Sequence, residues 1–398
     1  MPHNFSAISG NAPTFTEPLP VGQLYFPDWS RYEAAMRGIW ERRYYTNHGP
    51  LAQELEASLA HFLNVKHVVC VANATIGLMM AAEALVLKGK VIVPSHTFIA
   101  TAQSLKWCGL QPVFCDVEPS DHQIDPQQVV GLIDEDVSAI LAVNLWGGAC
   151  DVASLDVLAR EYDLALYFDS AQAFGCAIDG VPLASFGQAE VFSFHATKVL
   201  SAAEGGCVTT NDDDVAARLR NIRSSYGAGR PTQVVKTSNG RISEAQAAIA
   251  LMSLDDYPSI QAKNKALFDV YRSNLAGIPG LRILDPANVT SSNYQYAVCE
   301  LDEDAFGLSR DQLLRLLQAE NVIARRYFYP GTHRCKGFDD NADADAARLP
   351  VTERLCQVGF QLPLGSRLFA ESALKISTLI KCAHEQASAL RPLIAREY

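Results

Sequence analysis

The run Ser193-Phe194-His195-Ala196-Thr197-Lys198 follows an apolar stretch beginning at Glu190 and precedes Glu204-Gly205-Gly206. A lysine held at the end of a buried strand, partly out of water, has an amine that is nucleophilic near neutral pH and suited to Schiff-base chemistry. A lone lysine is ordinarily a solvated surface residue, so its companions decide the reading. Asp169 closes the apolar run Ala165-Leu166-Tyr167-Phe168. A carboxylate there needs a cation or several donors; a protonated ring nitrogen would serve, and a helix cap or ion pair is the plainer alternative. Gln172, three residues on, is placed to donate to a phenolate oxygen. Asn73-Ala74-Thr75 stand where the run Val68–Ala72 gives way to a helix. Free backbone N–H groups and the helix dipole favour phosphate at such a junction, although Asn73 or Thr75 would equally serve as a plain N-cap. Thr75 and Ser193 add hydroxyls. Phe98, just past another strand end, is able to stack on a flat ring, though a phenylalanine is more often core.

The elements that must position these residues are legible in the apolar pattern. Short apolar runs at 68–73, 91–95, 112–116, 139–144 and 164–169 alternate with helical segments at 75–87, 101–107, after Pro126 and from Asp151. Two more strands are expected near 190–194 and 207–211. Alternation of this kind predicts an α/β chain whose largely parallel sheet has helices on both faces. Ligands on such a sheet sit outside the carboxyl ends of the strands, where every candidate above falls. An amine, an acid, a phosphate cradle and an aromatic plate at one sheet edge are the parts of a pyridoxal phosphate site. Ser243 and Gln246 form a potential capping box for a helix over 243–254. After Pro258 the pattern becomes a long helix, then strands and helices of a second unit. The expected organisation is an N-terminal arm (1–25), a large domain (26–255) and a small C-terminal domain (256–398).

The chain of 398 residues carries 33 Lys and Arg against 44 Asp and Glu, a net charge of −11. That balance repels a phosphate backbone and argues against general nucleic-acid binding. Ten cysteines are scattered without a C-x-x-C pair, as core thiols of a reducing cytosol. No leader pattern and no run of eighteen apolar residues occurs, so a cytoplasmic protein with no membrane partner is expected. The nine histidines lack metal-ligand spacing, so no metal is expected, and no G-x-G-x-x-G follows a strand, which counts against a nicotinamide dehydrogenase.

The segment 193–212, SFHATKVLSAAEGGCVTTND, resembles the lysine-bearing segment of the DegT/DnrJ/EryC1/StrS sugar aminotransferases. These are pyridoxal-phosphate enzymes of the aspartate-aminotransferase-like fold (fold type I), with a large domain around a mostly parallel mixed sheet and a smaller α+β C-terminal domain. The likeness extends from about Tyr45 to about Leu364 and includes 91–101, 112–126, 167–175, 239–248 and 324–333. It implies that Lys198 forms the Schiff base, Asp169 pairs with the pyridinium nitrogen, Gln172 bonds the ring hydroxyl and Phe98 stacks on the ring. Ala74, Thr75 and Ser193 would hold the phosphate, helped by Asn239 from the second subunit of a homodimer with shared sites. His333, Tyr327, Arg325 and Asn47 would contact the nucleotide sugar. Lys198 also sets the chain apart from relatives with histidine there, which act as 3-dehydratases.

Three positions depart from the family pattern. Ala74 and Ala203 replace glycines, and Asn144 replaces a histidine, a change expected to alter contacts near the substrate. Within the family, NATIGL, AAEGG, NLWGG and YFYPGTH look most similar to 4-aminotransferases that use L-glutamate and dTDP-4-keto-6-deoxy-D-glucose to make dTDP-4-amino-4,6-dideoxy-D-glucose. A 3-aminotransferase, an enzyme of GDP- or UDP-4-keto sugars, and a non-catalytic binding protein on the same fold are the alternatives. The last should lack the lysine or the acid, and both are present.

Overall fold

The computed structural model describes residues 5, 7–10, 12–22, 25–224 and 229–394; residues 1–4, 6, 11, 23 and 24 of the expected arm lie outside them. Seven strands form the central sheet in the spatial order His67–Val71, Gly206–Thr210, Ala189–Ser193, Ala165–Asp169, Val137–Val143, Lys90–Pro94, Gln111–Cys115. Gly206–Thr210 runs antiparallel to both neighbours, and every other pairing is parallel. Successive residues point to opposite faces: Val69 and Val71 pack with Leu78, Met80 and Leu219, whereas Cys70 and Val68 join Leu55, Leu59 and Phe194. Helices therefore cover both faces, which is why the strands read as continuous apolar runs. The register sets Gly206 opposite both Ser193 and Val71, and Asp169 opposite Val143 and Val191. The candidate residues thus gather along one edge.

A second sheet is three-stranded and antiparallel, with Ala297–Leu301 between Leu281–Ile283 and Gly359–Leu362. Its two faces do different work. Ala297, Cys299, Leu301, Phe360 and Leu362 enter a core with the helices Arg310–Ala319 and Ala370–Glu385. Val298 faces the other way and packs with Tyr296, Val143, Trp146 and Phe328. The described part of the arm is tied to this unit. Phe5 is buried in its core, Leu19–Pro20 pairs with Val322–Ile323, and the Glu320 carboxylate accepts from Ala7 N at 3.0 Å and from Thr14 Oγ1 at 2.7 Å.

The helix expected over 243–254 and the one expected after Pro258 are a single helix, Glu244–Leu275, opened by the Ser243/Gln246 capping box. A proline inside a helix costs about 3 kcal/mol. Packing outweighs it here: Ala247, Ala250 and Tyr257 are buried with the first sheet, and Leu267, Phe268, Tyr271 and Leu275 with the second. Among the described residues no helix is long and apolar enough to cross a membrane.

Candidate active site

A cavity of about 540 Å³ opens between the carboxyl edge of the central sheet and the second sheet. Asn73, Ala74, Thr75, Phe98, Asp169, Gln172, Ser193 and Lys198 line it from one side, and Tyr296, Arg325, Tyr327 and Gln361 from the other. A larger cavity of about 970 Å³, by Glu118, Asp151 and Phe186, holds none of the expected site residues.

Lys198 follows a tight turn closed by its own N–H to His195 O at 2.8 Å, and Val199 N donates to Gln295 Oε1 at 2.7 Å. The half-buried amine donates to Tyr296 Oη at 3.1 Å. Burial pulls its pKa below the ordinary lysine value, against the opposing pull of Asp169 and Tyr327, which is the direction a nucleophilic amine needs.

Asp169 is 7% exposed and accepts from Thr101 Oγ1 at 2.8 Å and Ala171 N at 3.1 Å. Burial raises its pKa, while Thr101, Ala171 and Lys198 pull it down. The carboxylate is therefore short of positive charge, and a cation brought to it would be strongly held. Trp146 N donates to Gln172 Oε1 at 3.0 Å, which fixes the carboxamide and leaves its nitrogen as the donor end. Phe98 is 59% exposed, so the core reading of this ring does not hold: it stands at the cavity wall.

At the far end, helix Ala74–Ala84 begins with Asn73 as N-cap, its side chain accepting from Ile76 N at 2.9 Å. Asn73 is thus spent on the helix. The N–H groups of Ala74 and Thr75 belong to the first turn, which has no intrahelical acceptors, and Ser193 stands opposite Gly206. A Cβ at Gly206 would lie 2.6 Å from Phe192 O and 3.0 Å from Ala74 N; only glycine allows strand and helix start to approach this closely. First-turn donors with two hydroxyls, an under-compensated acid and a depressed lysine amine fit pyridoxal phosphate in charge and in chemistry.

The profile of the DegT/DnrJ/EryC1/StrS aminotransferase family matches residues 30–381. The chain belongs to this family. It is a pyridoxal-phosphate-dependent sugar aminotransferase. It is 32% identical over 366 residues to a dTDP-4-amino-4,6-dideoxy-D-glucose transaminase of Escherichia coli, covering 91% of this chain and 98% of that protein. It is 31% identical to a GDP-perosamine synthase of Vibrio cholerae over 84% of this chain and 91% of that one. Among solved structures, DesI in the presence of its TDP-sugar product superposes with a TM-score of 0.91 at 38% identity, over 97% of this chain and 98% of that chain.

The departures from the family pattern acquire physical meaning here. Asn144 does not line the cavity. It is 1% exposed, donating to Ser170 Oγ at 2.8 Å and accepting from Cys150 N at 2.9 Å, and Ser170 in turn donates to Glu190 at 2.7 Å, whose pKa burial pushes up to about 7. Asn144 therefore braces the strand ends behind Asp169 and touches no part of the cavity, contrary to the expected change in substrate contacts. Ala203 sits at φ 63°, where glycine is unstrained and alanine is not.

Of the expected sugar contacts, only Arg325 and Tyr327 reach the cavity. His333 does not: it is fully buried, with Nδ1 2.7 Å from Ser95 Oγ and Nε2 2.8 Å from Glu353 Oε1. Both ring nitrogens are committed, so the Pro-x-x-His stretch pins a loop to the central sheet. Asn47 and Asn239 are exposed and outside the cavity within one chain. Sequence reasoning missed Thr101, Tyr296 and Gln361. Thr101 stands four residues after Thr97 at a helix start, one turn apart and on one face, with the two hydroxyls 2.9 Å apart; that spacing was the available signal. For Tyr296 and Gln361 there was only strand alternation.

Proposed function

We propose that the enzyme moves the amino group of L-glutamate to the C4 ketone of dTDP-4-keto-6-deoxy-D-glucose, giving dTDP-4-amino-4,6-dideoxy-D-glucose. One observation carries the reading. The Lys198 amine projects into a cavity with Asp169 on one side and Tyr296, Arg325, Tyr327 and Gln361 on the other. The relatives named above support the sugar and its nucleotide.

The chemistry supplied by bound pyridoxal phosphate is a sink for the electron pair left when a proton departs from the carbon beside the transferred nitrogen. Lys198 would hold the cofactor through its amine; the free Nζ would take that proton and, in the second half-reaction, return one to the sugar carbon. Its lowered pKa favours the free amine. Asp169, oriented by Thr101 and Ala171, would keep the ring nitrogen protonated. Gln172 would bond the ring hydroxyl, Phe98 would cover the ring, and the Ala74 and Thr75 amides with Ser193 would hold the phosphate. Arg325, exposed at the rim, offers charge to the nucleotide diphosphate of an otherwise acidic protein. Asn239 is assigned to the cavity of a partner subunit in a homodimer, in keeping with its position outside its own. The change of buried core between Tyr257 and Leu267 supports a division into large and small domains near residue 256. A cytoplasmic location suits these soluble reactants.

The test is incubation with pyridoxal phosphate, L-glutamate and a panel of 4-keto and 3-keto dTDP, GDP and UDP sugars, with products identified by mass and NMR. Amination at C4 of the dTDP sugar is expected. Amination at C3, or turnover confined to a GDP sugar as in the Vibrio cholerae relative, contradicts the substrate.

A further inference from the structure

Gln361 has an environment that its fold does not explain. It lies on the strand Gly359–Leu362, whose neighbours Phe360 and Leu362 point into the C-terminal core. Gln361 is opposite Val298 in the register, so its side chain faces away from that core, on the side shared with Val298 and Tyr296. There it lines the cavity. The residue is 1% exposed, and its carboxamide oxygen is buried without a hydrogen-bond partner. Among the described residues, side-chain atoms in this state occur on His96, Tyr167, Arg223, Arg241 and Gln361, and of these only Gln361 lines the cavity.

A buried, unpaired acceptor weakens the fold unless something brings it a donor. The backbone of Gln361 is satisfied by Arg325, with N–H to O distances of 2.8 and 3.0 Å, so the vacancy belongs to the side chain alone. Its chemistry selects among the groups that enter the cavity. Carboxylates, ionised phosphates and ketones bring no donor, and the amine of glutamate is engaged at the cofactor. An alcohol does, and it matches the two ends of a carboxamide, one accepting and one donating. Position narrows the choice further. Tyr296, which touches the Lys198 amine, stands two residues before Val298, the partner of Gln361, and so on the same side, a spacing of about 7 Å along the chain. Of the donors a nucleotide sugar carries, the hexose hydroxyls lie nearest the reacting carbon.

We infer that Gln361 recognises a ring hydroxyl of the keto sugar, at C3 beside the carbonyl that receives nitrogen or at C2 one carbon further. This rests on the proposed nucleotide-sugar substrate and adds a specificity residue to it. A glutamine serving only the fold would have its polar atoms paired, and replacing it would loosen the protein. A glutamine kept for substrate should instead be a liability to the empty chain.

The experiment uses wild-type protein, Gln361→Met and Gln361→Leu, with the two half-reactions followed separately through the absorbance of bound cofactor. The expected result has three parts. Melting temperature of the cofactor-free chain rises in both variants. The glutamate half-reaction changes less than about twofold, while kcat/KM for the keto sugar falls about 10- to 100-fold, as expected for loss of one buried hydrogen bond. Wild-type protein given dTDP-4-keto sugars lacking the 2- or the 3-hydroxyl loses a similar factor for one of them, and the variants lose nothing further with it. A lower melting temperature, equal losses in both half-reactions, or wild-type indifference to both deoxy sugars overturns the assignment. The deoxy-sugar comparison needs only the wild-type protein, so it decides the matter even if a variant fails to fold. Absence of any keto-sugar half-reaction in the wild type would instead count against the proposed function.

Discussion

The two walls of the cavity are built on opposite principles. On the central-sheet wall, buried polar groups are paired: Asp169 by Thr101 and Ala171, Gln172 by Trp146, and Asn144 behind that wall by Ser170 and Cys150. Parallel strands all present their carboxyl ends at one edge, so one register fixes the whole constellation, and the groups are preorganised before a ligand arrives. The facing wall is the reverse side of a small antiparallel sheet. It offers an exposed Arg325, a half-buried Tyr327 and the unpaired amide oxygen of Gln361. A fixed wall suits a cofactor that never changes, and an unfinished wall suits a substrate that completes it. The two should then respond differently to substitution.

The largest effect is expected for Lys198→Ala. Turnover should vanish, while the pyridoxamine phosphate form should still bind nucleotide sugar; retained turnover would remove the lysine from the chemistry. Next is Asp169→Asn, expected to cost about 10²–10³-fold in both half-reactions, by comparison with other preorganised charge partners. It carries a pH signature as well. Asp169 raises the Lys198 pKa against the lowering by burial, so removing its charge should shift the titration of the Lys198 amine to lower pH. Amine labelling of the cofactor-free protein across pH, read by peptide mass, measures this, and an upward shift would contradict the electrostatic account. Thr101→Val removes one hydrogen bond to that buried carboxylate, worth about 1.5–3 kcal/mol. It should slow both half-reactions by a common factor, and a loss confined to the sugar half-reaction would break the contrast between the walls. Tyr296→Phe leaves the amine one partner fewer, so about a threefold to tenfold loss in kcat is expected. Smallest is Ala203→Gly, which relieves a left-handed alanine and should raise stability by up to about 1 kcal/mol, without altering either half-reaction. Denaturant titration reads it.

The same contrast explains what the sequence made legible. Lys198, Asp169, Phe98 and the Asn73–Thr75 junction sit at ends of apolar runs, and in a parallel sheet strand ends converge whatever the details of packing. Tyr296 and Gln361 reach the cavity only because an antiparallel sheet turns one face toward it, and alternation alone cannot say which face meets which partner. His333 shows the converse. Its motif suggested a substrate contact, but Ser95 and Glu353, far away in sequence, claim both nitrogens. Pro258 misled for a related reason: local propensity argued for a break, and two separate cores hold the helix continuous.

The most direct test is chemical. Borohydride reduction of protein loaded with pyridoxal phosphate, followed by digestion and peptide mass spectrometry, should place a single phosphopyridoxyl group on the peptide containing Lys198. Asp169→Asn protein should show a displaced visible absorption band before reduction. A label on any other lysine, or a spectrum indifferent to residue 169, would contradict the account.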